Sequence, residues 1–233
     1  ITTVGKSFFS LPLRIQLHEI LRDLPELENR YFGTGEPIPG GKKGYLIISG
    51  DKGLAGAYNH NIVKFAEGIL KNEKDPIVFV VGQLGALALQ KVGYPVDRSF
   101  AGTAQHPSVE RARRISAVLC DKFCRGELSE VDIIYTRMET RGEEATPRLQ
   151  KLLPLSAEAF RPSAEKPQEP QEVTYLPDAG AVLGSIAPNY LTGYLFGALV
   201  EAFCSEENAR MLAMKSATDS AAEMLRELSV IYN

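Results

Sequence analysis

The sequence predicts an α/β fold that carries one long C-terminal helix. Three observations predict it. Between residues 44 and 135, short apolar runs of strand length alternate with amphipathic stretches of helical spacing. From Pro188 to the end there is no further Pro, no Gly follows Gly197, and apolar residues recur at helical intervals. A shorter stretch near the start, with Leu13, Leu17, Ile20 and Leu24, steps by 4, 3 and 4 in the same heptad-like way.

The C-terminal stretch organises the rest. Its first half places Tyr190, Leu191, Tyr194, Leu195, Ala198, Leu199, Ala202 and Phe203 at helical spacing. The second half continues through Ala213, Ala217, Ala221, Met224, Leu228 and Ile231, drifting toward the 3.5-residue period of coiled coils. Pro188 suits a first helical position, where its missing N–H costs nothing. Glu206 with Arg210, and Lys215 with Asp219, form i,i+4 pairs of opposite charge. A helix over residues 188–233 would be about 70 Å long. The compact remainder would be only about 40 Å across. The helix is therefore expected to project, and an exposed apolar stripe requires a partner. The alanines at 213, 217 and 221 predict that this partner comes close. The helix over 11–24 is the natural in-chain candidate, with packing on the domain surface as the alternative.

In chain order, residues 1–10 are uninformative. Residues 30–43 hold a Gly- and Pro-rich loop. A buried strand follows at 44–49, a glycine turn at 51–56, and a helix at 59–70 that Asn59 could cap. A second buried strand is expected at 76–81, a helix at 83–92, and a short third strand at 95–100. Ser108 caps a helix running to Phe123, and 131–135 is another strand. Residues 139–148 read as a polar loop and 149–155 as an edge strand interrupted at Pro154. Residues 160–173, with three prolines among Glu, Gln and Lys, read as a mobile excursion. A helical turn then starts near Asp178. The domains expected are an N-terminal helix in 1–31, a small, mostly parallel, Rossmann-like sheet with helices on both faces in 43–176, and the long helix in 177–233.

Composition narrows the function. A 44% hydrophobic and 24% charged chain of 233 residues is globular, and its net charge of −3 exerts no general pull on nucleic acid or acidic lipid. No run approaches 18 apolar residues, so no membrane insertion is expected. Cys120, Cys124 and Cys204 read as buried free thiols of a reducing compartment. His18, His60 and His106 show no ligand spacing, so no metal is expected. Glu143 and Glu144 read as solvated surface charge, and Arg111, Arg113 and Arg114 as a solvated helix face. No catalytic constellation assembles. Gly50, Gly53 and Gly56 lie between a strand and a helix, where phosphate loops occur. Their spacing matches neither the dinucleotide nor the Walker pattern, and Lys52 precedes the second glycine. A tight turn is the plainer reading. The chain starts at Ile1 without Met and ends within a helix, so it reads as a piece of something longer.

Several of these stretches together resemble the gamma subunit of F-type ATP synthases. Ser49-Gly-Asp-Lys-Gly-Leu-Ala-Gly56, with Asn59, resembles that family's Asp-[Arg/Lys]-Gly-Leu-x-Gly turn. Leu152-Leu-Pro-Leu155 and Pro188-x-Tyr-Leu191 also match, and Ser205-Glu206, Ala209-Arg-Met-x-Ala-Met214 and Ala217-Thr-Asp-x-Ala221 resemble its C-terminal helix signature. The resemblance implies a non-catalytic rotor shaft without a cofactor, in which N- and C-terminal helices form an antiparallel coiled coil. It implies alpha and beta subunits of a catalytic ring, an epsilon subunit and a membrane c-ring as partners. It also implies a peripheral place on the cytoplasmic side of a bacterial membrane, since no chloroplast-type cysteine insertion is present. The interaction residues implied are Asp51, Lys52, Gly53, Leu54 and Gly56 in the turn. On the helix they are Arg210, Met211, Ala213, Met214, Ala217, Asp219 and Ala221, with Arg210, Lys215, Asp219 and Glu223 on its outer side. Two other readings stay open, a small nucleotide-binding protein using residues 50–56 and an unrelated coiled-coil adaptor.

Overall fold

A computed structural model describes residues 16–17, 19–21, 29–32, 40–102, 104–138, 145–156, 160, 175–176 and 178–232. Five strands build one sheet, β1 (Lys42–Ile48), β2 (Ile77–Val81), β3 (Val96–Asp97), β4 (Leu128–Arg137) and β5 (Thr146–Leu153), in the order β3-β2-β1-β4-β5. Four helices accompany them: α1 (Tyr58–Leu70), α2 (Gln83–Val92), α3 (Val109–Cys124) and α4 (Ala179–Tyr232). β1 pairs in parallel with β2 and β4, β2 in parallel with β3, and β5 closes the edge antiparallel to β4.

Alternation along the strands feeds two cores. Tyr45, Ile47, Val78, Val80 and Ile134 join Ile62, Ala66 and Leu70 of α1 and Ala86 and Leu89 of α2 on one face. Leu46, Ile48, Phe79, Val81, Ile133 and Tyr135 join Ala112, Ile115, Leu119 and Phe123 of α3 on the other. That the central strands are covered on both sides is the reason for their continuous apolar runs, Tyr45–Ile48 and Ile77–Val81.

The second core is completed by α4. Its Leu183, Ala187, Leu191, Leu195, Ala198, Leu199 and Ala202 are all buried there, together with Leu17 and Ile20 of the N-terminal segment. So the N-terminal helical turn packs into the base, and the rest of the stretch expected over 11–24, including Leu13 and Leu24, lies outside the described residues. The rod is unbroken over 54 residues, about 80 Å. Pro188 does not open it. The helix starts at Ala179, where the Asp178 carboxylate accepts the Ala181 amide at 2.8 Å as an N-cap does. Pro188 sits inside, leaving the Gly184 carbonyl without its helical amide. The base tolerates this because burial of the flanking stripe, about 1.5–3 kcal/mol for each large apolar side chain, outweighs one lost bond.

Other expectations are corrected in detail. Asn59 does not cap α1, whose N-cap is Ala57 with no side-chain bond. Ser108 does cap α3, accepting the Arg111 amide at 3.2 Å. The third strand shrinks to two residues, and Phe100 turns into the core against Phe79. β4 begins three residues before its apolar run, because Glu130 is held by Lys43 and Lys151. β5 starts at Thr146, inside the expected loop. Its Pro147 is tolerated on an edge strand, and Pro154 falls just past its end. Of the expected excursion only Phe160 is described. It is buried between Phe32 and Tyr190. Glu143, Glu144 and His18 lie outside the described residues.

Candidate functional site

At the carboxyl end of β1 the chain leaves the sheet and α4 leaves the base. Here the connection from β1 has gone to one side, to β2, and a later one arrives on the other, at β4. In open α/β sheets a crevice forms at such a switch point and usually takes a ligand. In this protein it takes the chain's own helix.

Ser49 begins the construction. Its hydroxyl donates to the Val81 carbonyl at 3.0 Å and accepts the Gly85 amide at 3.2 Å, tying β1, β2 and α2 together. No side chain fits opposite it, since a Cβ at Gly82 or Gly85 would lie 2.3 Å from Ser49 atoms. Asp51 continues it. One carboxylate oxygen accepts the Gln83 amide at the start of α2, at 2.9 Å, and the other accepts the Ala104 amide at 3.0 Å. An anion at a helix N-terminus is favourable on both hydrogen-bond and dipole grounds. Asn59 accepts the Gly50 amide at 2.8 Å and donates to the Lys52 carbonyl at 3.4 Å. The turn is thus pinned from α1, from α2 and from the segment before α3. Two of its residues have positive φ, Gly56 at 54° and Leu54 at 63°. Leu54 is a non-glycine in that region and is 81% exposed.

The helix meets the turn on one face. The Tyr58 hydroxyl donates to the Ala202 carbonyl at 3.1 Å, and burial pushes its pKa up. The Ser205 hydroxyl lies 3.4 Å from the Thr136 carbonyl of β4 and 2.8 Å from the Glu201 carbonyl. Glu206, 5% exposed, fills the space beside Gly50, where a Cβ would stand 2.6 Å from its Oε1. Arg210 pairs with Glu206 and Glu207 and donates from Nε to the Gly53 carbonyl at 3.3 Å. Burial raises the Glu206 pKa against the opposing pull of Arg210. Ala213 lies 3.6 Å from where a Gly56 Cβ would be.

Arg210 is therefore turned inward, and its expected place on the outer side of the helix is corrected. It is drawn in because Glu206 is buried and needs a counter-charge. Ala213 allows close approach to a turn of the base. Met211 and Met214 are more than half exposed, and Ala217, Asp219 and Ala221 are exposed with Lys215 and Glu223. Sequence reasoning missed Glu206 and Ser49 as neighbours of the turn. The signal available was a carboxylate four residues before Arg210 on an otherwise apolar face. The thiols also differ from expectation: Cys120 is buried, with its pKa pushed up to about 11 by burial, while Cys124 and Cys204 are half-buried.

This geometry is poor for a phosphate. The cleft left between turn and helix, lined by Lys52, His106, Phe203, Glu206, Glu207 and Arg210 among others, measures about 120 Å³. Small-molecule sites are usually about 300 Å³ or more. An anion at Gly50 would face the Glu206 carboxylate.

The family model for ATP synthase matches residues 10–233. The chain is 37% identical over 226 residues to an ATP synthase gamma chain of Acetivibrio thermocellus, covering 95% of this chain and 76% of that one. It belongs to the ATP synthase gamma-chain family. A gamma chain of Ruminiclostridium cellulolyticum is 39% identical over 218 residues, with 92% and 74% covered. In fold, it is similar to a chain in the central stalk and c-ring structure of the Tetrahymena thermophila mitochondrial ATP synthase. That likeness has a TM-score of 0.60 at 19% identity and covers 94% of this chain and 99% of the other. The turn and the helix that carried the resemblance meet where α4 leaves the base.

Proposed function

We propose that the chain is the central rotor shaft of an ion-driven ATP synthase and is not itself a catalyst. The observation that carries this reading is the unbroken rod, buried in the base up to Glu206, half-buried on one face as far as Ala213, and exposed beyond it. The part beyond Glu206, roughly 26 residues, would be about 39 Å long. It bears Met211, Met214, Met224, Leu225, Leu228 and Ile231, all more than half exposed. A stripe of this kind demands a partner. The family points to the N-terminal helix as coiled-coil partner and to the alpha and beta subunits of a catalytic ring as the sleeve. The α/β base would then stand at the foot, against an epsilon subunit and the membrane c-ring. Among the described residues no helix is long and apolar enough to cross a membrane. Peripheral attachment on the cytoplasmic side, through those partners, is the corresponding location.

Asp51, Gly53, Gly56, Arg210 and Ala213 then serve to hold the rod, while Lys52, Leu54, Met211, Met214, Ala217, Asp219 and Ala221 are surface available to partners. Expression of the tagged chain with the other subunits tests the reading. A hexameric ATPase should co-purify and pump ions in vesicles, and Met214→Glu with Ala217→Glu should cut pumping at least tenfold. A chain that purifies alone, or binds ATP by itself in a manner lost in Gly53→Val, would overturn it.

A further inference from the structure

We infer that the face of β4 and β5 turned toward α1 docks a protein partner, which places an arginine on the Asp132 carboxylate. The inference rests on the reading of the chain as one subunit of a larger assembly. Asp132 on β4 stands between its register partners, Tyr45 on β1 and Lys151 on β5. Tyr45 belongs to the core beneath α1, so Asp132 and Lys151 share that face of the sheet. Two more carboxylates and a second ammonium group surround it. Lys43 lies 3.0 Å from Glu73, just past α1, and 3.7 Å from Glu130, and Lys151 pairs with Glu130. The Tyr45 hydroxyl donates to Glu73 at 2.9 Å. Both cations are thus taken up by Glu73 and Glu130. Asp132 is 8% exposed, and among the described residues no group donates a hydrogen bond to its carboxylate or forms an ion pair with it. A carboxylate buried without a donor is costly, so this group is poised for one. The strand beside it is open: β5 is the edge of the sheet and is exposed from Arg148 to Lys151.

Charge decides the occupant's chemistry. Three carboxylates face two ammonium groups, which leaves a negative charge unbalanced. A metal ion fits poorly, since among the described residues no three ligands converge on one position. A guanidinium meets a carboxylate with two parallel N–H bonds and gives up its water more readily than an ammonium does. Asp132 has already lost most of its water in folding, so docking adds that cost only at the guanidinium. Leu149, 43% exposed, lies on the same face opposite Ile134 and offers apolar contact beside the charge.

The test compares the isolated chain with the assembled complex. N-ethylmaleimide, read by mass spectrometry, should alkylate Leu149→Cys freely in the isolated chain and at least about fivefold more slowly in the complex. Asp132→Asn should raise the dissociation constant of one partner subunit at least about tenfold, while the isolated chain becomes no less stable. Among that partner's arginines, one change to alanine should cost as much, and little more when combined with Asp132→Asn. Equal alkylation in the two states, unchanged dissociation of every partner, or the lack of such an arginine would overturn the inference. So would Leu149→Cys already shielded in the isolated chain. Shielding at every concentration would mean that the chain covers this face itself, and shielding only at high concentration that a second copy does. Failure of the rotor reading looks different, since the unmodified chain would then not assemble with an ATPase at all.

Discussion

The two halves of α4 carry similar apolar periodicity and meet opposite fates. Below Glu206, Leu183, Leu191, Leu195 and Leu199 are at most 3% exposed. Above Arg210, Leu225, Leu228 and Ile231 are 62–81% exposed. The amino-acid pattern is the same, and what differs is whether the described chain supplies a covering surface. Helical stability in proteins comes mainly from such packing, so the described residues hold the lower half and leave the upper half uncovered.

The largest effects should separate the halves. Leu195→Ala should lower the unfolding free energy of the isolated chain by about 3 kcal/mol, as buried leucine truncations do, in urea titrations. Leu228→Ala should change it by less than about 0.5 kcal/mol. Equal costs would mean that the upper half is already covered. At the junction, Gly50→Ala should cost about 2 kcal/mol, because its Cβ must displace the buried Glu206 carboxylate. Gly184→Ala, in the lower helix with nothing within 4 Å of a new Cβ, should instead stabilise by about 0.5–1 kcal/mol.

A smaller, pH-dependent effect sharpens the contrast between base and rod. Asp132, 8% exposed on β4, has its pKa raised to about 6 by burial and then by Glu130, with Lys151 and Lys43 opposing. A carboxyl raised in the folded state binds its proton more tightly there than in the unfolded chain, where its pKa is about 4. Its contribution is full below about pH 4 and is lost as pH rises through about 6. Asp132→Asn should therefore raise stability by about 1–3 kcal/mol at pH 8 and by little at pH 4.

Much of this was legible in the residues. Apolar runs at 45–48 and 77–81 announced buried parallel strands, and Ser108 announced the start of α3. The long helix was legible from its lack of breakers, but its start was not. Pro188 is a strong local signal, and only the tertiary burial of Leu183 and Ala187 overrides it. Arg210 shows the other limit. Its i,i+4 pair with Glu206 could be read from spacing, yet its inward direction depends on Glu206 being desolvated beside Gly50, a contact between residues 156 positions apart. Asn59 likewise has a capping residue's chemistry, but its oxygen is taken by the Gly50 amide.

The continuity of the rod is best tested by distance. Spin labels at Asn189→Cys and Glu227→Cys, with Cys124→Ser and Cys204→Ser, should lie about 57 Å apart along one helix in the assembled complex. A main population below about 40 Å would mean that the helix breaks or folds back on its base, and would contradict the account.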